Sequence, residues 1–323
     1  MISPEYPPSA CYLTLFQQAC RQHNARFAAN LMTLARRIVA KNSAEITLVS
    51  LARAGTPVGV LLNRIIRTYF QRDVRHYSLS IIRDRGIDEV ALRYILHSAG
   101  RSAAGIVFVD GWTGKGVIAQ ELTSAIGAFN QRWGTTISPA LHVVADLSGT
   151  AGVAATSQDY LIPSSILNAV VSGLVSRSIL NADYIGANDF HGCRYYHEFA
   201  DIDLSRSFVD AVMAEVSQFF EERGTNADQV ISAREQKELR QRSQDFIRQI
   251  RDIYGIRSIH HIKPGIGEAT RVLLRRVPDR LLVRNVNANE VAHLIQLADE
   301  KGVPYAEIPT LAYCAAAIIH EMD

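Results

Sequence analysis

Three stretches of this chain carry residue types that could do chemistry. The first is Val107 to Gly116, VFVDGWTGKG. An apolar run delivers Asp110 to the end of a strand, and a turn rich in Gly and Thr follows. Such a turn can aim several backbone N–H groups at one phosphate, helped by the start of the next helix. Glycine permits the close backbone approach. Thr113 adds a hydroxyl and Lys115 a charge. Asp110 accepts only when ionised, which suits ribose hydroxyls or a magnesium ion. The stretch is not a Walker A loop: Val109 stands where a Gly is required, and Gly116 where Ser or Thr is required. The second stretch is Leu51 to Gly59, LARAGTPVG. Its small residues could wrap a diphosphate, with Arg53 supplying charge. The third is His191 to His197, HGCRYYH, with one thiol between two imidazoles. Cys193 could act as a nucleophile if the fold supplies a base and an environment favouring the thiolate. A short charged turn runs from Arg83 to Asp88. Asp159, Asp189, Tyr195 and Tyr196 are further residues that could line a cavity, and His260 and His261 read as surface or RNA-facing.

The elements that must position these groups follow a βα rhythm. A helix is expected from about Cys11 to Val39. Strands follow at Glu45–Leu51, His76–Ile82, Gly105–Asp110 and Leu141–Asp146, with helices at Val58–Phe70, Asp88–His97 and Val117–Phe129 between them. Strands alternating with helices argue for a parallel sheet covered on both faces. Ligands of such sheets sit at the strands' carboxyl ends, where both Gly-containing turns lie. Beyond Asp146 the pattern loosens. Tyr160–Pro163 reads as a short strand, Asn168–Leu180 and Leu204–Arg223 as helices, and Ala227–Ile253 as a charged helix. The rhythm then restarts, with a loop at Lys263–Glu268, a helix to Arg275, strands at Arg280–Arg284 and Pro304–Ile308, and helices at Asn289–Lys301 and Tyr313–His320. The division expected is 1–223, a connector at 224–255, and 256–323.

The chain has 323 residues, 48% hydrophobic and 20% charged, which excludes a disordered protein. No run of about 18 apolar residues occurs, so no span is expected in a membrane. Met1 to Pro8 does not read as a secretory signal. The four cysteines form no C-x-x-C pair, which points to free thiols in the cytoplasm. The net charge is +2, with 34 Lys and Arg, only five of them Lys. From Arg257 to Arg284 seven basic residues stand against two acids, a local +5 that leaves −3 for the rest. That concentration is what a nucleic-acid footprint requires. Few aromatics are interleaved there, so shape- or backbone-led recognition of structured RNA is expected.

VFVDGWTGKG resembles the phosphoribosyl-diphosphate (PRPP) loop of type I phosphoribosyltransferases, and SLARAGTPVG resembles their diphosphate loop. Taken with Asp159 to Arg177 (DYLIPS to VSGLVSR) and the C-terminal KPGIGEATR, the chain resembles one bacterial family over nearly its whole length. That family fuses a phosphoribosyltransferase-like domain to a Pelota RNA-binding domain. It is associated with tellurite resistance and stress, and is also labelled the StiP family of cysteine proteases. The resemblance implies an α/β fold: a type I phosphoribosyltransferase-like parallel-sheet domain, a helical connector and a small L7Ae/Pelota-like α/β/α domain. It implies that Asp110 holds the ribose hydroxyls and, indirectly, Mg2+, and that the Arg83–Asp88 turn shields the reacting centre with Arg83 and Arg85 on the leaving diphosphate. Thr113, Gly114, Lys115 and Gly116 would take the 5-phosphate, and Arg53, Ala54, Gly55 and Thr56 the diphosphate. Lys263, Gly265, Gly267, Arg271, Arg275 and Arg284 would contact RNA.

The leading expectation is therefore a phosphoribosyltransferase, a glycosyltransferase using Mg2+ and PRPP or a nucleotide, coupled to RNA. The family's usual motif has two adjacent acids, and here Val109 precedes Asp110. A non-catalytic nucleotide-sensing RNA adaptor is the alternative, and a cysteine hydrolase using Cys193 a further one. Self-association into a homo-oligomer is left open.

Overall fold

The computed structural model describes residues 5–42, 45–226 and 231–319. A long helix, α1 (Ala10–Lys41), opens the chain; the Ser9 hydroxyl accepts from Tyr12 N at its start. There follow β1 (Ile46–Ala52), α2 (Thr56–Tyr69), β2 (Val74–Ile82), β3 (Gly86–Ile87), α3 (Glu89–Arg93), β4 (Ile106–Thr113), α4 (Val117–Trp133), β5 (Leu141–Asp146) and β6 (Val153–Thr156). The sheet order is β3-β2-β1-β4-β5-β6. Its pairs are parallel except for β2 with β3.

Period-two alternation explains why this sheet is covered twice. On β1 and β4, Leu48, Val107 and Val109 face a core shared with α1 and α2. Their neighbours Val49, Leu51, Ile106 and Phe108 face a second core with Leu122, Ile126 and Phe129 of α4. The α/β reading and the four principal strands thus agree with the structure.

The later chain holds α5 (Ser205–Arg223), α6 (Ala233–Tyr254), β7 (Ile262–Pro264), α7 (Ile266–Arg275), β8 (Arg280–Val283), α8 (Ala292–Lys301), β9 (Tyr305–Glu307) and β10 (Ala315–Ile318). The second sheet runs β7-β10-β8-β9. Helix α6 begins on a capping box of Ser232 and Glu235. It bridges the two units. Arg240 donates to Gly149 O at 2.8 and 3.0 Å, and Phe246 packs edge-on against Tyr313. One hydrophobic core runs without a break from α1 to Ile319.

Four local expectations are corrected. Tyr313–His320 is not a helix: Ala315–Ile318 is the strand β10, paired on both sides, and His320 lies outside the described residues. A short, fully buried apolar run has no periodicity to separate strand from helix. Asn168–Leu180 is a single turn of 3-10 helix at Ala169–Val171. The chain then reverses at Gly173 and Leu174, both at positive φ. Tyr160–Pro163 is a loop entering a 3-10 turn, and the sheet is completed instead by β6. The charged helix starts at Ala233 rather than Ala227, and residues 227–230 are outside those described.

Candidate functional site

The carboxyl ends of β1, β2 and β4 open onto a cavity of about 330 Å³. Arg53 and Ala54 come from the β1–α2 turn, Arg83 from the β2–β3 turn, and Asp110 and Thr113 to Gly116 from β4 and its turn. The opposite wall belongs to the C-terminal unit: Lys263 from β7, and Glu268, Arg271 and Arg275 from α7. Trp112 and Arg177 also line the cavity. Residues expected to serve two separate ligands therefore face one space. Arg85 is exposed on the turn, outside this lining. Thr56 bonds Ser78 Oγ at 2.6 Å, and Gly55 sits where a Cβ would meet Val109 O at 2.8 Å.

Many polar groups of the two turns are satisfied by this chain itself. Lys115 Nζ donates to Ile259 O and Ile262 O, each at 2.7 Å. Gly114 O accepts from Tyr313 Oη at 2.8 Å. Thr113 Oγ1 accepts from Gly116 N at 3.1 Å. Gly116 has φ 78, and a Cβ there would lie 2.6 Å from Thr150. Arg53 pairs with Glu5 and donates to Val175 O at 3.0 Å. The β4 turn acts as a dock for the C-terminal unit. Asp159 completes that dock: its two carboxylate oxygens accept from Ile266 N and Cys314 N, each at 2.9 Å.

Gly265 and Gly267 belong to the same junction. Gly265 has φ +94, and a Cβ would lie 2.8 Å from Leu147; Gly267 lies against Ser165 and Trp112. Arg284 donates to Leu311 O and Ala312 O at 2.9 and 2.8 Å.

The charges in the cavity perturb one another. Burial pushes the Asp110 carboxyl up to about 7, opposed by the Gly111 N–H and Arg271 and reinforced by Glu268. Burial and then Lys263 push Lys115 down to about 8. Desolvation, Arg271 and Arg53 push Arg275 down to about 10. Asp110 and Glu268 are the carboxylates the cavity could offer a cation. Among the described residues no group of three or more His, Cys, Asp or Glu converges on one point.

Asp110 makes stability depend on pH. Its folded pKa lies above the ordinary 3.8, so the folded chain holds this proton more tightly than the unfolded chain. That contribution is complete below about pH 4 and is lost as pH rises through about 7. An amide at this position would stay neutral and keep the Gly111 N–H bond. Asp110→Asn is therefore expected to stabilise the chain at pH 8 by on the order of 3 kcal/mol, and to leave it unchanged near pH 4. Thermal melts at the two pH values check this, and an unaltered melt at pH 8 contradicts it.

The four thiols separate by environment. Burial pushes Cys20 and Cys314 up to about 11, which disfavours their thiolates. Cys11 and Cys193 are exposed. Cys193 lies on a loop tied to the strand-like segment before it by bridges Val175↔Tyr195 and Ile179↔Gly192. His191 and Cys193 flank the bridged Gly192. The His191 N–H donates to Asp88 Oδ2 at 2.7 Å, and its Nδ1 is 2.8 Å from Ser80 Oγ. The sequence had not paired Ser80 or Asp88 with this histidine, since both lie about a hundred residues away. Trp112, Arg177 and Glu268 lie within the motifs named above, but only the packing of the two units brings them to the cavity.

Residues 1–213 match the family described as tellurite-like stress resistance cysteine protease StiP, and residues 241–321 match the PELOTA RNA binding domain. The Cysteine protease StiP of Acinetobacter baylyi (strain ATCC 33305 / BD413 / ADP1) is 41% identical over 308 residues, covering 92% of this chain and 78% of that protein. Solved structures similar to this chain include an HPRT alanine mutant at an invariant aspartic acid: TM-score 0.30, 12% identity, 43% of this chain and 81% of that one. Another is a Trypanosoma cruzi hypoxanthine phosphoribosyltransferase with IMP: TM-score 0.29, 12% identity, 43% and 77% covered. At those scores nothing about activity follows.

The expected glycosyltransferase activity is overturned by the family match and by the relative at 41% identity, both described as cysteine proteases. The physical reason agrees, because Lys115, Gly114, Thr113 and Arg53 are bonded within the chain. By the extent of both matches, this chain belongs to the tellurite-like stress resistance cysteine protease StiP family.

Proposed function

We propose that this chain hydrolyses peptide bonds through Cys193, with His191 as its base, and binds RNA through its C-terminal domain. The observation that carries the first part is an exposed thiol two residues from an imidazole clamped at both its backbone and its ring. With Nδ1 donating to Ser80 Oγ, Nε2 is the basic nitrogen. Among the described residues no hydrogen bond joins the thiol to this imidazole, and substrate must draw the two together. Catalytic contacts are commonly loose before substrate binds.

In the proposed sequence, Nε2 takes the thiol proton and the sulfur attacks the peptide carbonyl carbon. The C–N bond breaks, the imidazolium proton goes to the leaving amine, and a thioester remains. Water activated by Nε2 then attacks the thioester. A carboxylic acid leaves and the thiol regains its proton. The setting proposed is the stress response named in the family's description.

Alkylation tests this. In a Cys11→Ser background, iodoacetamide should modify Cys193 and abolish hydrolysis of denatured casein, with peptide mapping locating the label. Hydrolysis that survives complete modification of Cys193, or none by the unmodified chain, contradicts the proposal. RNA binding is supported by the PELOTA match over residues 241–321 and by Lys263, Arg271 and Arg275 on that domain.

A further inference from the structure

The cavity between the two units takes no part in the thiol chemistry. Its lining is nonetheless strongly charged. Arg83 and Arg177 stand on one side, and Lys263, Arg271 and Arg275 on the other. Arg271 has Glu268 at 3.9 Å. Among the described residues Arg83, Arg177, Lys263 and Arg275 make no ion pair. Burial chiefly lowers Lys115, Lys263 and Arg275; repulsion from the neighbouring cations adds to it, and Glu268 opposes it. A polyanion entering the cavity would relieve that repulsion. Burial raises the Asp110 carboxyl to about 7 and so weakens its charge, and the cations of the lining outnumber Asp110 and Glu268.

The domain that supplies the second wall points to which anion, because it matches an RNA-binding family. The turn holding Gly265 and Gly267 is packed against Leu147, Ser165 and Asp159 of the first unit. RNA cannot reach that turn while the units are docked. Lys263, Arg271 and Arg275 of the C-terminal domain face the cavity instead, and the exposed Arg276 continues the charge beyond them.

We propose that this cavity is an RNA phosphate site built jointly by the two domains, with Arg83 and Arg177 clamping the strand against Lys263, Arg271 and Arg275. The inference rests on the RNA-binding reading above. It goes beyond it in giving half of the site to the domain that carries the thiol.

Trp112, on the cavity wall, provides the readout. The chain has two tryptophans, and Trp133 is exposed on α4, so full-length Trp133→Phe leaves Trp112 as the reporter. A short uridine-rich RNA should quench Trp112 and bind in a fluorescence anisotropy titration. The double variant Arg83→Gln/Arg177→Gln should weaken binding about tenfold and lower the salt slope by about 1–2. Both arginines are exposed, and an unchanged melting temperature confirms that the variant folds. If the parent chain binds no RNA, the RNA-binding reading and this inference both fall. If RNA binds the parent and the double variant alike, without quenching Trp112, the joint site alone is overturned. A free nucleoside monophosphate shares the phosphate chemistry, and poly-glutamate offers carboxylates. If either quenches Trp112 and RNA does not displace it, the cavity is not an RNA site.

Discussion

Cys193→Ala is expected to lower kcat/KM for a peptide substrate about a thousandfold or more, because no other residue of the proposed site can form the acyl intermediate. His191→Ala should cost nearly as much, and the double variant little beyond either single change. Nucleophile and base act as a unit, so their effects do not add. Ser80→Ala should cost only about tenfold. Ser80 would position the imidazole through Nδ1 without touching substrate, so its loss should also shift the acid limb of the pH–rate profile. Cys20→Ala and Cys314→Ala should leave rates near the parent's, since burial holds both thiols up at about 11. Steady-state kinetics across the series decide the matter. Full activity in Cys193→Ala, with loss in Cys11→Ala, would move the nucleophile to α1.

The second large effect is structural. Asp159→Ala should lower stability by about 3 kcal/mol. Its carboxylate accepts from Ile266 N at the start of α7 and from Cys314 N beside β10. Removing it leaves two backbone donors buried without acceptors, and losing both outweighs relief of the desolvation that pushes Asp159 up to about 6. Asp159→Asn should recover only part of the loss, because the amide presents an NH2 to one of the two N–H groups. The midpoint of urea unfolding measures both variants. If Asp159→Ala unfolds at the parent's midpoint, Lys115 and Tyr313 hold the junction without it.

Much of the frame was legible from local pattern. Strands β1, β4 and β5 are apolar runs bounded by turns, and α2 and α4 show helical spacing, so periodicity located them within a few residues. It failed where pattern and burial part company. The run Ala315–Ile318 is apolar on every side because it is the interior strand of a small sheet. Asn168–Leu180 has helical composition, but it reverses at Gly173 and pairs with the loop that carries Cys193.

The thiol loop shows the same division. That Cys193 has imidazoles nearby can be read from HGCRYYH. That His191, rather than His197, is held by Ser80 and Asp88 cannot, because β2 and the turn before α3 approach that loop only after the sheet has formed.

By itself the sequence determined a doubly covered parallel sheet, two Gly-containing turns at its carboxyl edge, and a basic C-terminal unit. Each follows from short-range periodicity, chain stereochemistry and charge counting. Only the tertiary structure decided what those turns face. Lys115 and Gly114 bond the C-terminal unit, and Lys263, Arg271 and Arg275 turn inward across the cavity from Arg83 and Arg177. The hydrogen-bonding capacity of a loop is a local property. Whether a ligand, water or a second domain satisfies it depends on contacts between residues more than a hundred positions apart.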